Sequence, residues 1–325
     1  MMRKTIIVTS FWAVTSLFLT GCKQEGQPSS TTKPSGSALR VTLLMKARTN
    51  PFFEKMAAGA ELAAKEQGVQ LDVMAVDRET DTAGQAAHVE TAIGKGSKVI
   101  LVAPADSKAI IAPLLNAQAH GIKIINLDNR IDAAAARDAG LKIETFIGPD
   151  NAEGARKSTE ALIAKIGGEG KLAMLEGIRG VDNAENRKRG FEQAVKATDG
   201  KVTIAAMDTA EWATEPALKK MESILNTNPG LKGVFCANDM MALGAIQAIA
   251  SAGKTGKVFV AGYDNLAAAR EAIRAGTLHA TIEQHPDTMG KLGVEAAVAV
   301  AKGATLPPET PVPTDLVTAK NVQGQ

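Results

Sequence analysis

The feature that most constrains this chain is a rhythm of short apolar runs separated by stretches of helical period. The runs fall at 40–45, 70–76, 99–102, 123–127, 145–147, 171–175, 202–207, 233–236, 258–261, 279–282 and 315–318. Between most of them apolar residues recur at i, i+3 and i+4, as in 158–166 and 241–251. Short apolar runs that alternate with helices of this length are parallel strands whose two faces the helices cover. About ten such strands would make one sheet large, and two sheets of about five or six are the more natural division. The halves also open alike, with strand, polar turn and helix at 46–53 and again at 177–191. One large doubly wound sheet is the alternative.

The N-terminus reads as a secretory signal of the lipoprotein type. Met1-Met2-Arg3-Lys4 supplies the positive region, 5–19 the mostly apolar stretch, and Leu19-Thr20-Gly21-Cys22 small residues before a cysteine. Residues 1–22 are therefore expected to be the signal ending at a lipidated Cys22; an ordinary cleaved signal is the alternative. The apolar stretch is too short and too interrupted by Thr and Ser to read as a membrane-spanning helix. Lys23 follows Cys22, so the Asp that retains many Gram-negative lipoproteins at the inner membrane is absent. Residues 23–38 are mostly Ser, Thr, Gly and Pro with no apolar period, a flexible tether. The nearly three hundred residues that follow suffice for two domains.

Several functions find no footing. Formal charge is +2 with no basic run, so nothing points to nucleic acid. Cys236 lies in an apolar strand and reads as a buried, inert thiol. The four histidines lack metal-ligand spacing, and HExxH, CxxC, Walker and Gly-x-Ser-x-Gly motifs are missing. No enzyme, metal or cofactor is expected.

Polar and aromatic residues gather instead where strands end, which is where open α/β sheets bind ligands. The chain is only 3% aromatic, yet Asn50-Pro51-Phe52-Phe53 sets two rings at the start of a helix. Lys46 and Asn50 follow the first run, Asp128 and Asn129 the run ending at Leu127, and Asn238 the run ending at Cys236. Tyr263 and Asp264 follow Gly262, Gln284 follows Ile282, Arg187 precedes a helix, and Trp212 lies just past Met207. An ionised Asp accepts from two hydroxyls, Arg donates a rigid fork, and Asn or Gln does both. Flat rings suit the C–H faces of a sugar. Each residue also has a plainer reading: Asn50, Asp128, Asn238 and Asp264 as helix caps, Arg187 as a solvated charge, Tyr263 as packing. Trp212 is the hardest to explain that way, being the one tryptophan besides Trp12 in the signal.

With these residues in place, the sequence from about Arg40 to the C-terminus resembles the type I periplasmic sugar-binding proteins of ABC importers, the ribose-, galactose- and allose-binding group. The resemblance rests on Asn50-Pro51-Phe52-Phe53, Ala103-Pro104-Ala105-Asp106-Ser107, Asn126-Leu127-Asp128, Arg187 ahead of Gly190-Phe191, the 237–244 segment, Gly262-Tyr263-Asp264 and the 280–286 segment. It implies two similar doubly wound parallel-sheet lobes joined by three crossing strands, near 147–150, 283–286 and 313–316. The lobes would be 39–149 with 285–313, and 150–284 with 314–325. Ring stacking would fall to Phe52, Phe53 and Trp212. Hydroxyl binding would fall to Lys46, Asn50, Asp128, Asn129, Arg187, Asn238, Asp264 and Gln284, with Tyr263 also within reach. Lys46, Trp212 and Asn126-Leu127-Asp128 look closer to the allose-type pattern, which has a Trp where Phe53 stands, than to ribose binders, which resemble Asp-Arg where this chain has Asp128-Asn129 with the arginine displaced to Arg130.

The resemblance therefore implies a lipid-anchored, monomeric solute-binding subunit. It would close over an aldopentose or aldohexose and deliver it to a membrane ABC permease. A chemoreceptor or sensor kinase is a second class of partner. A polyol, nucleoside or furanosyl signal is the alternative ligand. A sugar-responsive repressor is opposed by export and by the missing helix-turn-helix, and a glycosidase by the match of its would-be carboxylates to binding positions. Asp128→Ala, Asp264→Ala and Arg187→Ala should each cost about 1.5–3 kcal/mol, ten- to a hundredfold in sugar affinity. Unaltered affinity in all three would rule this site out.

Overall fold

Strand and helix alternate along the chain as the apolar rhythm predicts. A computed structural model describes residues 38–324; Cys22 and most of the tether lie outside the described residues. The first half runs β1 (Arg40–Ala47), α1 (Pro51–Gln67), β2 (Gln70–Val76), α2 (Thr82–Gly94), β3 (Val99–Val102), α3 (Ile111–Ala119), β4 (Lys123–Leu127), α4 (Ala133–Ala139) and β5 (Phe146–Pro149). The second runs α5 (Asn151–Lys165), β6 (Gly170–Glu176), α6 (Asp182–Lys196), β7 (Val202–Thr209), α7 (Thr214–Thr227), β8 (Leu231–Cys236), α8 (Asp239–Ser251), β9 (Phe259–Ala261), α9 (Ala267–Arg274) and β10 (Ala280–Glu283). It closes with α10 (Pro286–Ala301), β11 (Glu309–Val312) and β12 (Asp315–Thr318).

The strands form two six-stranded sheets of one topology. Their orders are β2-β1-β3-β4-β5-β11 and β7-β6-β8-β9-β10-β12. All pairings are parallel except β10 with β12. This is the two-lobe α/β arrangement rather than a single large sheet. The chain passes between sheets three times: from β5 to α5, which packs on β8, β9 and β10; from β10 to α10, which packs on β3, β4 and β5; and from β11 to β12.

β11 is not among the apolar runs of the sequence. It carries Pro311, which lacks a ladder donor and is tolerated because β11 is an edge strand, paired only with β5.

Helices meet at unusually short range, and glycine is the reason. A Cβ on Gly290 of α10 would lie 2.0 Å from the Met56 carbonyl oxygen of α1, and one on Gly59 would lie 2.0 Å from that of Asp287. The second sheet repeats the device, Gly190 against Ala152 (2.1 Å) and Gly244 against Thr214 (2.2 Å). The obstructing atoms are backbone and cannot rotate aside. Gly290→Ala should therefore destabilise the protein by about 1–3 kcal/mol, read as a lowered urea midpoint. An unchanged midpoint would show that α1 and α10 can separate without cost.

Candidate functional site

In each sheet the strand order reverses beside the first strand, β1 or β6, and the carboxyl ends of the strands there open onto a crevice. The two crevices face one another. Local chemistry then aims individual side chains into the gap. In β1 the register with β2 slips between Met45 and Ala47, so Lys46 is the bulged residue; a bulge re-aims the side chain it carries. Asn50 caps α1, its Oδ1 accepting from the Phe52 N–H at 3.1 Å, and Pro51 occupies the first helical position. The Phe52 and Phe53 rings follow, edge to face with centroids 5.1 Å apart.

Two loops depend on buried polar scaffolds. The Asn126 side chain donates to the Asn129 carbonyl (2.7 Å) and accepts from the Ile131 N–H (2.9 Å). That holds the turn in which Asp128 takes a φ of 60°. Across the cleft, Asp239 accepts from the Leu266 N–H (2.9 Å) and from the Thr281 hydroxyl (2.8 Å). These bonds hold the loop that carries Asp264 at φ 123°. Neither Asp128 nor Asp264 is a helix cap; Asp132 caps α4, and α9 follows Leu266. Trp212, at φ 65°, lies over Gly177, where a Cβ would be 2.1 Å from the indole.

The result is a small cavity walled by largely buried side chains. Lys46, Asn50, Phe52, Phe53 and Asp128 come to it from the first sheet's side; Arg187, Trp212, Asn238, Asp264 and Gln284 come from the second's. The charged groups form ion pairs that are all slightly long. Lys46 Nζ lies 3.6 Å from Asp128 and 3.9 Å from Glu79, and Arg187 lies 3.6 Å from Asp264. Direct N–H···O bonds run to about 3.2 Å. Arg187 is otherwise fixed, donating to Asn151 (2.8 Å), the Ala237 carbonyl (2.7 Å) and Gln284 (3.1 Å). Gln284 in turn donates to Asp264 at 2.6 Å. Asn238 also caps α8, accepting from the Met241 N–H, and donates to the Trp212 carbonyl.

Asn129 and Tyr263 do not line the cavity. Asn129 is fully buried, donating to the Pro104 carbonyl and accepting from the Asn183 N–H, both at 3.0 Å. It clasps the two sides of the cleft. Tyr263 lies beneath Arg187, the guanidinium carbon 3.8 Å from its ring centroid. Two lining residues escaped the sequence reading, Glu79 and Asn183. Glu79 lies just past β2, where the strand-end rule would have found it. Asn183 is one helical turn before Arg187 on α6, hence on the same face.

The Periplasmic binding protein domain family matches residues 41–305. The chain belongs to this family. It is 35% identical to the D-allose-binding periplasmic protein of Escherichia coli over 273 residues, 84% of this chain and 88% of that one. With a D-ribose/D-allose-binding protein of Pseudomonas aeruginosa it shares 34% over 286 residues, covering 86% and 89%. Among solved structures, a periplasmic solute-binding protein of an ABC transporter from Actinobacillus succinogenes, with D-allose bound, superposes with a TM-score of 0.83 at 38% identity. That match covers 88% of this chain and 99% of the other. A periplasmic binding protein is exported and belongs to solute transport; it is not an enzyme.

Burial sets the acid–base character of the site. It raises Glu79 from its ordinary value, with Lys46 opposing. It raises Asp264 well above its ordinary value, with Arg187 opposing and Asp239 adding to the rise. Asp239 is pushed up from 3.8 to about 7, burial again outweighing the hydrogen bonds it accepts. A carboxyl whose pKa is higher in the folded chain binds protons more tightly there. Its contribution to stability is present below the unfolded pKa and is lost as pH rises through the folded one. His279, lowered by burial, acts in the opposite direction but alone. The ligand-free protein should therefore lose on the order of 1–2 kcal/mol between about pH 5.5 and pH 7.5, seen as a falling thermal midpoint. Asp239→Asn should flatten that slope; a midpoint that rises over the interval contradicts this reading of the buried acids.

Proposed function

We propose that this chain captures a single aldose, pentose or hexose, between its two lobes by hinge closure and presents the closed form to an ABC permease. The observation that carries the reading is the ring of long ion pairs together with two orphaned polar atoms. Trp212 Nε1 and Asn183 Oδ1 are buried with no hydrogen-bond partner, and both residues line the cavity. Buried polar groups are nearly always paired, so one donor and one acceptor point to a ligand that supplies the opposite roles. A hydroxyl does both. Placed between Lys46 and Asp128, or between Arg187 and Asp264, a hydroxyl accepts from the cation and donates to the carboxylate. Each buried charge then keeps its partner and gains a bond.

The aromatic residues fit the same ligand. Phe52, Phe53 and Trp212 offer apolar faces for ring C–H groups, and the cations flanking Trp212, Lys46 at 5.9 Å and Arg187 at 5.4 Å from its ring, hold it in place. The allose- and ribose-binding relatives support an aldose. Asn50 and Asn238 serve both as helix caps and as cavity walls.

The lobes would comprise 39–149 with 285–313, and 150–284 with 314–325, so the chain crossings form the hinge. The tether 23–38 would leave the binding unit free of the membrane while lipid on Cys22 holds it there, and the mature protein would act as a monomer. Closed and open lobes present different surfaces, which a permease or a membrane receptor can read.

Trp212 is the only tryptophan among the described residues, so its fluorescence reports on the cavity. Titration of the domain from about Ser37 with pentoses, hexoses, polyols and nucleosides should give a saturable change with one or two aldoses. Trp212→Ala, followed by thermal shift, should abolish the stabilisation by those sugars. A response confined to a polyol or nucleoside would keep the fold and replace the ligand class.

A further inference from the structure

The lining residue that strand-end reasoning passed over, Glu79, differs from the other charged groups of the cavity in position. Its side chain is 10% exposed, against 2% for Lys46, 3% for Asp128 and Arg187, and 4% for Asp264. It also lines a second, outer cavity that shares Asn50 and Trp212 with the inner one. Glu79 therefore stands at the mouth, where the ligand comes closest to solvent.

Its backbone is firmly placed. The 77–81 loop is tied to the start of the α1 region by the Arg48 N–H to the Val76 carbonyl (3.2 Å) and the Thr49 hydroxyl to the Asp77 carbonyl (3.3 Å). At its other end Asp81 caps α2, accepting from the Gly84 N–H at 2.8 Å. The side chain is fixed at one oxygen only: Oε1 accepts from the Asn50 amide at 3.0 Å. Oε2 faces Lys46 Nζ at 3.9 Å, too far for a direct bond.

We infer that Glu79 is a specificity-determining residue of this site, its Oε2 accepting the ligand hydroxyl nearest the mouth and thereby selecting the sugar at that one ring carbon. The inference rests on the sugar-binding reading above. A hydroxyl lying between Lys46 and Glu79 accepts from the ammonium and donates to the carboxylate. A sugar lacking that hydroxyl, or carrying it in the opposite configuration, turns C–H toward a largely buried carboxyl and a buried ammonium and leaves both short of a partner. Sites built to bond a hydroxyl reject such analogues strongly, because their own polar groups are then unpaired. The elevated pKa of Glu79 agrees with a carboxyl drawn out of water with Lys46 as its main compensation.

The test is calorimetric titration of the full chain and of Glu79→Gln and Glu79→Ala with the best-bound aldose, its epimers and its single deoxy analogues. Glu79→Gln keeps a carbonyl oxygen for Asn50 but replaces the free acceptor with a donor facing Lys46. It should weaken the best sugar about ten- to a hundredfold. For one deoxy analogue, and that one only, wild type and both variants should bind within about twofold of one another, which identifies the carbon. Equal losses for every analogue would show that Glu79 merely supports Asn50, and no loss at all would show that it makes no contact; either result overturns the assignment. Unchanged melting of the ligand-free variants separates these outcomes from misfolding. Wild-type protein that binds no aldose refutes the sugar reading itself and takes this inference with it.

Discussion

Arg187 is a guanidinium sealed inside the protein, 3% exposed, and much of the second lobe is arranged around its need for partners. A charge removed from water costs several kcal/mol unless it is paired and its N–H groups are bonded. Five donors in a fixed fork therefore require acceptors from several directions. They come from α5 through Asn151, from the residue after β8 through the Ala237 carbonyl, from the residue after β10 through Gln284, and electrostatically from Asp264. Tyr263 supplies the floor. Lys46 plays the corresponding part in the first lobe, between Asp128 and Glu79. Each lobe thus brings one buried cation and its carboxylates to the cleft.

That symmetry follows from topology. The two sheets have one strand order, so the same reversal places the same kind of loop at the same edge in both. The glycines that let helix backbones touch occur on both sides, Gly59 and Gly290 in one lobe and Gly190 and Gly244 in the other. Closely seated helices fix where strand ends and helix starts lie. The placement of Lys46, Asn50 and Arg187 depends on those positions.

Much of this was legible in the sequence because fully buried strands leave uninterrupted apolar runs and the helices between them keep a clear period. The exception was β11, whose edge position admits Pro311 and a half-polar sequence, which periodicity cannot recognise. Most of the cavity lining was legible too, since strand ends are the places a parallel sheet exposes. What one dimension hides is direction. Asn129 and Tyr263 stand at strand ends, yet the first turns its amide to Pro104 and the second lies under a guanidinium. Glu79 and Asn183 sit in stretches that read as ordinary polar loop and helix start, and only the fold shows that they line the cavity. Asn126 and Asp239, which resemble parts of the binding motifs, act by holding the loops that carry Asp128 and Asp264.

The left-handed backbone at Asp128, Trp212 and Asp264 bears on how such a protein can diversify. Positive φ is tolerated by Gly, Asn and Asp and is costly for β-branched residues. A change of side chain at these points is filtered first by conformation and only then by what it would bind. Glu79, Asn183 and Arg187 carry no such restriction, because α6 and the 77–81 loop keep φ negative. Lineages descending from this scaffold would then acquire new preferences through the second group while the first stays nearly frozen, so the diversity of ligands across the fold need not be matched by diversity at its most deeply engaged aspartates.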